Sequence, residues 1–178
     1  KTYLTPGNNR EDLVDFAYEI LHRRLGDECL ILNSLNLATL LSTGATEIDS
    51  LKATLPPWLL ILNLAGYERF PEERVAWQED QVKDIAQKNG VEPVLGVAGV
   101  SGTRVLSTLQ KVSAEPYWKL RYKGACQDIF FLITLDKTQQ AIRTMYEAAD
   151  AAGYPTSNIG IYIQPIVQGV SCHCELNL

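Results

Sequence analysis

The sequence contains few of the residues on which common catalytic machineries depend. Only two histidines are present, and no Gly-x-Ser-x-Gly turn accompanies the serines, so a nucleophilic triad cannot be assembled. The glycine-rich loop followed by lysine that cradles nucleotide phosphates is also missing. The chain is therefore not expected to be an enzyme that is complete by itself.

Basic residues and long apolar runs are scarce as well. Lysine and arginine number 16 against 21 acidic residues, the net charge is −5, and the basic residues are scattered, so no nucleic-acid partner is expected. No apolar run reaches the ~18 residues of a membrane span, and the first residues lack the pattern of a signal peptide. We therefore expect a cytoplasmic protein with no membrane-spanning segment. The four cysteines lie in apolar, strand-like segments, which favours reduced thiols.

Apolar residues make up 46% of the 178 positions, which is enough for one domain with a continuous core. Three stretches repeat one pattern of apolar strand, amphipathic helix, glycine and second apolar strand. In the first stretch, Asn9 is placed to cap the helix and Gly26 to end it. Its apolar side chains recur on one helical face, at Leu13, Phe16, Ala17, Ile20 and Leu21. The second stretch runs from WLLILNLAGY through a helix starting at Pro71 to VEPVLGVAGV, and the third from DIFFLITL to NIGIYIQPIV.

The remaining segments complete an α+β prediction. NSLNLATLLSTG and SGTRVLSTLQKVS are predicted as short helices, and ATEIDSLKATLPP as a loop. Together with a terminal hairpin, these elements predict a mainly antiparallel sheet with helices covering one face, built from ferredoxin-like βαβ repeats. A doubly wound parallel sheet is the alternative, but the hairpin and the lack of a glycine-rich strand-to-helix turn disfavour it.

The last strand, residues 170–178, carries a Cys-His-Cys cluster. Alternation along a strand places Cys172 and Cys174 on one face and His173 and Glu175 on the other. No metal site is expected, because one strand cannot point both sulfurs and the imidazole at the same ion. The polar face, which includes Ser171 and Asn177, is either a solvated surface or the floor of a substrate pocket.

The segment EPYWKLRYKGACQD holds the densest mixture of cations and aromatic rings in the chain. Lys119 and the bidentate fork of Arg121 could bind a substrate carboxylate. The alternative is an exposed loop or edge strand whose lysines oppose aggregation. His22, on the solvent side of the first helix, is interpreted as a surface cation near the helix end.

The order of these elements resembles the cap, or substrate-binding, domain of FAD-linked oxidases of the vanillyl-alcohol oxidase type. The resemblance spans nearly the whole chain and rests on LILNSLNLATLL, PPWLLILNLAGYERFPEERVAWQEDQVKDIAQKNGV, PYWKLRYKGACQDIFFLITLDKTQQAIRTMYEAADAAGY and IGIYIQPIVQGVSCHCELNL. It is greatest to the branch that contains the D subunit of glycolate oxidase and D-lactate dehydrogenases. In that branch the hairpin carries His-x-Gly-Asp-Gly-Asn-x-His. His173 matches its second histidine, residues 164–166 stand near the first, and VQGVSC replaces the stretch between them.

The resemblance implies that residues 1–178 are a single cap domain of a longer flavoprotein, whose FAD-binding domain belongs to the same parent chain. A first residue other than Met, and an end inside a strand-like segment, favour the same interpretation. The implied activity is oxidation of a small hydroxy acid or alcohol by hydride transfer to FAD. His173 would be the catalytic base, and Arg121, Lys119 and Glu175 would bind the substrate. The alternative is a non-catalytic ferredoxin-like module that binds a small ligand or a partner chain.

Overall fold

The computed structural model describes residues 1–111, 117–166 and 171–178, in which helices and strands follow one another as the α+β prediction requires. The strands in these ranges are β1 (Thr2–Gly7), β2 (Glu28–Asn33), β3 (Trp58–Asn63), β4 (Gly96–Val97), β5 (Val100–Ser101), β6 (Asp128–Ile133), β7 (Gly160–Ile166) and β8 (Ser171–Asn177). The α-helices are α1 (Arg10–His22), α2 (Ser34–Leu41), α3 (Ala45–Thr54), α4 (Pro71–Asn89), α5 (Gly102–Leu109) and α6 (Thr138–Ala151). A short 3-10 helix, Trp118–Leu120, precedes β6.

Among the described residues, six strands form one sheet in the order β1-β3-β2-β7-β8-β6, and every neighbouring pair is antiparallel. Strands β1 and β2 flank β3 and are joined by α1, while β6 and β7 flank β8 and are joined by α6. Each half of the sheet is thus a split β-α-β unit, and the two halves meet at β2 and β7. The ferredoxin-like repeats are confirmed, and the parallel alternative is wrong.

The first face of the sheet is covered by α1, α4 and α6. Phe16 of α1 and Ile142 of α6 pack there against strand residues such as Ile161, with almost no exposure to solvent. The predicted apolar face of α1 is confirmed, apart from Leu21, which is only half-buried. This face holds the larger of the two apolar cores.

A second layer covers part of the opposite face and extends the single layer that we expected. Strands β2 and β3 are apolar on both sides, so Leu32 and Ile61 need cover there too, and α2, α3 and α5 provide it. The prediction of a loop at ATEIDSLKATLPP is wrong, because it contains α3. Its Ile48 is fully buried, and the Thr43 backbone N–H and hydroxyl donate to Glu47 at 2.8 and 3.0 Å.

The expected strand VEPVLGVAGV does not join the large sheet. Pro93 lacks a backbone donor, and the segment makes only an isolated bridge between Leu4 and Val94. It then turns back on itself as the hairpin β4-β5, with Ala98 and Gly99 at φ 50° and 77°, as a type I′ turn requires. The short helices α2 and α5 and the terminal hairpin β7-β8 are confirmed, and residues 112 and 113 of the predicted α5 segment lie outside the described residues.

No helix within the described ranges is both long enough and apolar enough to span a membrane.

Candidate functional site

The two faces of β8 differ as the alternation predicted. Cys172 and Cys174 are fully buried on the side of α1 and α6, where burial raises their thiol pKa values to about 12 and about 11. His173 and Glu175 lie on the opposite side, where the α2 layer does not extend over the whole sheet. The sulfurs and the imidazole therefore cannot share a ligand, and no group of metal-ligating side chains is found among the described residues.

A cavity of about 560 Å³ opens on this second face. Its floor is formed by strands β7 and β8, and its walls by α2, the end of α5 and the 3-10 helix. Seven of the twelve lining side chains are apolar or aromatic and five are polar or charged, a mixture that is typical of a small-molecule site. It comprises Leu32, Asn36, Leu40, Leu109, Tyr117, Trp118, Lys119, Tyr162, Gln164, Ile166, His173 and Glu175.

His173 is held by contacts on three sides. Its Nε2 lies 3.0 Å from a carboxylate oxygen of Glu175, two residues along the same strand face. Phe130 stacks on the imidazole at 5.6 Å between ring centroids, and Tyr162 meets it edge-on at 6.0 Å. These rings come from the two strands beside β8, so the sheet register itself fixes the imidazole.

Glu175 is the centre of a polar network. Its carboxylate accepts hydrogen bonds from Lys119 and from Asn177, the latter at 2.7 Å. Burial alone would raise the pKa of Glu175, but the hydrogen bonds from Lys119, Asn177 and His173 outweigh it and hold that pKa below its usual value. Glu175 is therefore an ionised acceptor near neutral pH. It follows that Nε2 of His173 carries the proton of their hydrogen bond and that Nδ1 is the basic nitrogen.

Lys119 connects this network to β6. Its Nζ contacts Asp128 at 2.8 Å as well as Glu175, and its side chain is only 8% exposed. Burial opposes the charge on Lys119, yet the two carboxylates raise its pKa above the usual value. The pKa of Asp128 is lowered against the effect of burial by hydrogen bonds from Lys119, Cys126 and Asn177. One cation faces two carboxylates, so the cluster carries a net charge of −1 when His173 is neutral.

Arg121 lies outside the lining of the cavity. Its guanidinium donates to the backbone carbonyls of Ser42 at 2.8 Å and Leu40 at 3.5 Å, at the carboxyl end of α2. A cation there satisfies terminal carbonyls and interacts favourably with the helix dipole. The structure thus brings His173, Glu175 and Lys119 together, and it places Arg121 as an anchor between two walls of the cavity.

Among the polar residues of the site, Asn36, Asp128 and Tyr162 were not singled out from the sequence, and Gln164 was noted only as standing near the first histidine of the family's hairpin. Tyr162 and Gln164 share the cavity face of β7, and Tyr162 donates to Gln164 at 2.6 Å. The alternation of side chains along the predicted strand NIGIYIQPIV places both residues on the same face and could have identified them. Asn36 is buried in a helix of apolar residues and donates to Asn177 at 2.7 Å, a polar exception that was also readable. Asp128 carries no local signal, because its partner Lys119 is fixed only by the fold.

His22 is exposed at the end of α1 and stacks on Tyr18, consistent with a surface position. Residues 167–170, which contain most of VQGVSC, and residues 115 and 116 of EPYWKLRYKGACQD lie outside the described residues.

No protein-family model matches the chain, and no curated protein matches it in sequence. Solved structures do share its fold. Alkyldihydroxyacetonephosphate synthase, in two crystal forms, aligns with TM-scores of 0.63 and 0.61 at 13% and 12% identity, over 99% of this chain and 35% and 34% of its own. p-Cresol methylhydroxylase with substrate bound aligns with a TM-score of 0.62 at 13% identity, over 100% of this chain and 38% of its own. The chain therefore has the fold of a segment that is about a third of these longer proteins.

Proposed function

We propose that the chain is the substrate-binding cap domain of a FAD-linked oxidoreductase that oxidises a small alcohol. The observation that carries the proposal is the aromatic-lined cavity with the His173–Glu175 pair in its lining. The sequence resemblance to FAD-linked oxidases of the vanillyl-alcohol oxidase type supports it. So does a fold shared with part of p-cresol methylhydroxylase, an enzyme named for a small phenol.

The open sheet face beside the cavity fits one side of a flat aromatic ring system. Phe130 and Leu132 on β6 are 66% and 72% exposed, and Ile166 lies at the edge of the same face. Exposed apolar side chains grouped on an edge strand favour a surface that is covered in the working protein. The chain has no glycine-rich phosphate-binding turn. The phosphates of FAD are therefore assigned to a FAD-binding domain of the same parent chain.

When bound, FAD supplies the acceptor for the hydride that leaves the carbinol carbon. In this chain His173 supplies the acceptor for the hydroxyl proton, through the Nδ1 that its bond to Glu175 leaves free. Glu175 holds the ring and stabilises the imidazolium, and Lys119 fixes Glu175. The substrate loses one hydride from carbon and one proton from oxygen and becomes a carbonyl compound.

The charges in the cavity favour an alcohol over a hydroxy acid. Lys119 is already neutralised by two carboxylates, and Arg121 is bonded to backbone carbonyls. No lining cation is left to pair with a substrate carboxylate among the described residues. The surrounding rings of Trp118 and Tyr162 suit an apolar or aromatic body instead.

The test uses the full-length parent protein with its flavin, mixed with substrate in the absence of oxygen. Loss of flavin absorbance then measures the oxidation of the alcohol. His173→Ala is expected to lower this rate by about 10²–10⁴-fold, the usual contribution of a general base. His22→Ala is the matched control, because it removes the other histidine from an exposed helix end.

Three outcomes are informative. A rate unchanged by His173→Ala removes that residue from the mechanism, whereas oxidation of hydroxy acids in preference to alcohols contradicts the charge argument. A parent protein that has no FAD-binding domain refutes the oxidase proposal. Ligand binding by such a protein would support the non-catalytic ferredoxin-like module in its place.

A further inference from the structure

A second cavity, of about 300 Å³, lies on the opposite face of the sheet, where α1 begins beside α6. Its lining combines two arginines with aromatic and amide side chains. It comprises Asn8, Asn9, Arg10, Glu11, Trp58, Gln139, Ile142, Arg143 and Tyr146. The volume falls at the lower end of the range of small-molecule sites.

Arg10 is an unusual buried cation. Its side chain is 8% exposed, its Nε is buried without a hydrogen-bond partner, and no described residue accepts a hydrogen bond from its guanidinium. Its neighbours are the Trp58 ring, 5.1 Å from the guanidinium carbon, and a Glu11 oxygen at 3.9 Å, beyond hydrogen-bond length. A buried guanidinium without an acceptor is costly, so an acceptor that enters the cavity would stabilise it.

The other groups around the cavity also favour a negative ligand. Burial lowers the pKa of Arg10 although Glu11 opposes it, and Arg143 is close enough to lower that pKa further. Glu11 is engaged by the side-chain amide of Gln139. The side chain of Asn9, the N-cap of α1, makes no capping hydrogen bond, so the first backbone N–H groups of that helix lack this partner. The two arginines and one glutamate of the lining give the cavity a net charge of +1.

We infer that this cavity binds a small organic oxyanion, a carboxylate or phosphate group on an aromatic or apolar body. The guanidinium groups of Arg10 and Arg143 would receive the oxyanion, since their planar forks match its geometry. The rings of Trp58 and Tyr146 would receive the body. The site is separate from the His173 cavity, because Arg10 lies on the face towards which Cys174 points.

Calorimetric titration of the protein with benzoate, phenyl phosphate and inorganic phosphate tests the inference. We expect saturable binding of at least one of the two aromatic probes, tighter than that of inorganic phosphate. Arg143→Gln should weaken it by roughly 10- to 100-fold, the loss of a charged hydrogen bond. Arg69→Gln is the matched control, since it removes one exposed arginine from outside the cavity. The preferred aromatic probe identifies the oxyanion as carboxylate or phosphate.

Arg10→Lys provides a second variant that keeps the charge and removes the fork. Its fold is checked by circular dichroism, and its affinity is expected to fall as well. The inference is overturned if no probe binds, or if the probes bind equally to the unmodified protein, Arg143→Gln and Arg10→Lys. Tighter binding of inorganic phosphate than of phenyl phosphate would contradict the role of the two rings.

Discussion

Replacement of Lys119 by methionine is the sharpest test of the polar network. Methionine keeps much of the length of the side chain but removes the cation that lies between Asp128 and Glu175. Both carboxylates also accept hydrogen bonds from Asn177, at 2.6 and 2.7 Å, so they remain close together when Lys119 is lost. The variant therefore leaves two like charges in a poorly solvated site.

The expected loss in the free energy of unfolding lies between the values for buried and exposed ion pairs. Removing one partner of a buried pair costs about 3–5 kcal/mol, and an exposed pair contributes about 0–1 kcal/mol. Lys119 and Glu175 are 8% and 14% exposed, whereas Asp128 is 35% exposed. We expect a loss of about 2–4 kcal/mol near pH 7, with the melting temperature lowered by about 2–4 °C for each kcal/mol.

The direction in which the stability loss of Lys119→Met changes with pH shows whether that loss is electrostatic. In the unmodified protein the pKa values of Asp128 and Glu175 are lowered by folding. Their stabilisation is thus present above their unfolded pKa values, near 4, and is lost as the pH falls through the folded values. In Lys119→Met the like charges raise the pKa of at least one carboxylate above its unfolded value, so the variant regains stability on protonation. The difference between the two proteins should therefore become smaller as the pH falls from about 7 into the range in which the carboxylates are protonated.

Urea unfolding at several pH values, followed by tryptophan fluorescence, measures this difference. Lys83→Met is the matched control, because Lys83 pairs with Asp80 at 3.5 Å on an exposed helix face. We expect its effect to stay within about 0.5 kcal/mol. The electrostatic reasoning fails if Lys119→Met is no worse than this control, or if its cost stays constant down to about pH 3.

Three further predictions concern packing and exposure. Gly160→Ala should destabilise the protein by about 1–3 kcal/mol in urea unfolding, because a Cβ there would lie 2.0 Å from the Asn36 side-chain oxygen. Gly44→Ala, with no atom within 4 Å, should cost less, about 0.5 kcal/mol, because it only replaces the glycine N-cap of α3. The Cys172 thiol, with its pKa raised by burial to about 12, should resist iodoacetamide at about pH 8 until urea unfolds the chain, and rapid native labelling would contradict this. Phe130→Ser should lower stability by no more than about 1.5 kcal/mol, since the ring is 66% exposed and loses mainly its stacking on His173, yet it should weaken flavin retention in the proposed parent flavoprotein.

Patterns with a strict local geometry were predictable from the sequence. Alternation separated His173 from Cys174 because successive strand residues must point to opposite faces, and the structure confirms it. The buried stripe of α1 follows in the same way from helical periodicity. With the other strand and helix patterns, they predicted a mainly antiparallel sheet of ferredoxin-like βαβ repeats, but not the pairing of two split units that the structure shows.

Features decided by distant contacts were not predictable. Helix α3 depends on the burial of Ile48 against a second helical layer, which its weak amphipathic pattern does not reveal. Lys119 and Glu175 were both predicted to contact substrate, but the fold joins these residues, 56 positions apart, into one ion pair. A long-range pair changes what each charge can do, and no local pattern indicates it. The same holds for Arg121 at the end of α2.

The position of the cavity follows from an asymmetry between the two halves of the sheet. In the first half, the connection from β2 to β3 contains α2 and α3, which cover the second face of those strands. In the second half, β7 ends at Ile166 and β8 begins at Ser171, so the equivalent connection has only four residues. The second face of β6 and β8 thus keeps Phe130 and His173 accessible. One repeated unit supplies a covered wall, and the other supplies the open floor on which a ligand can lie.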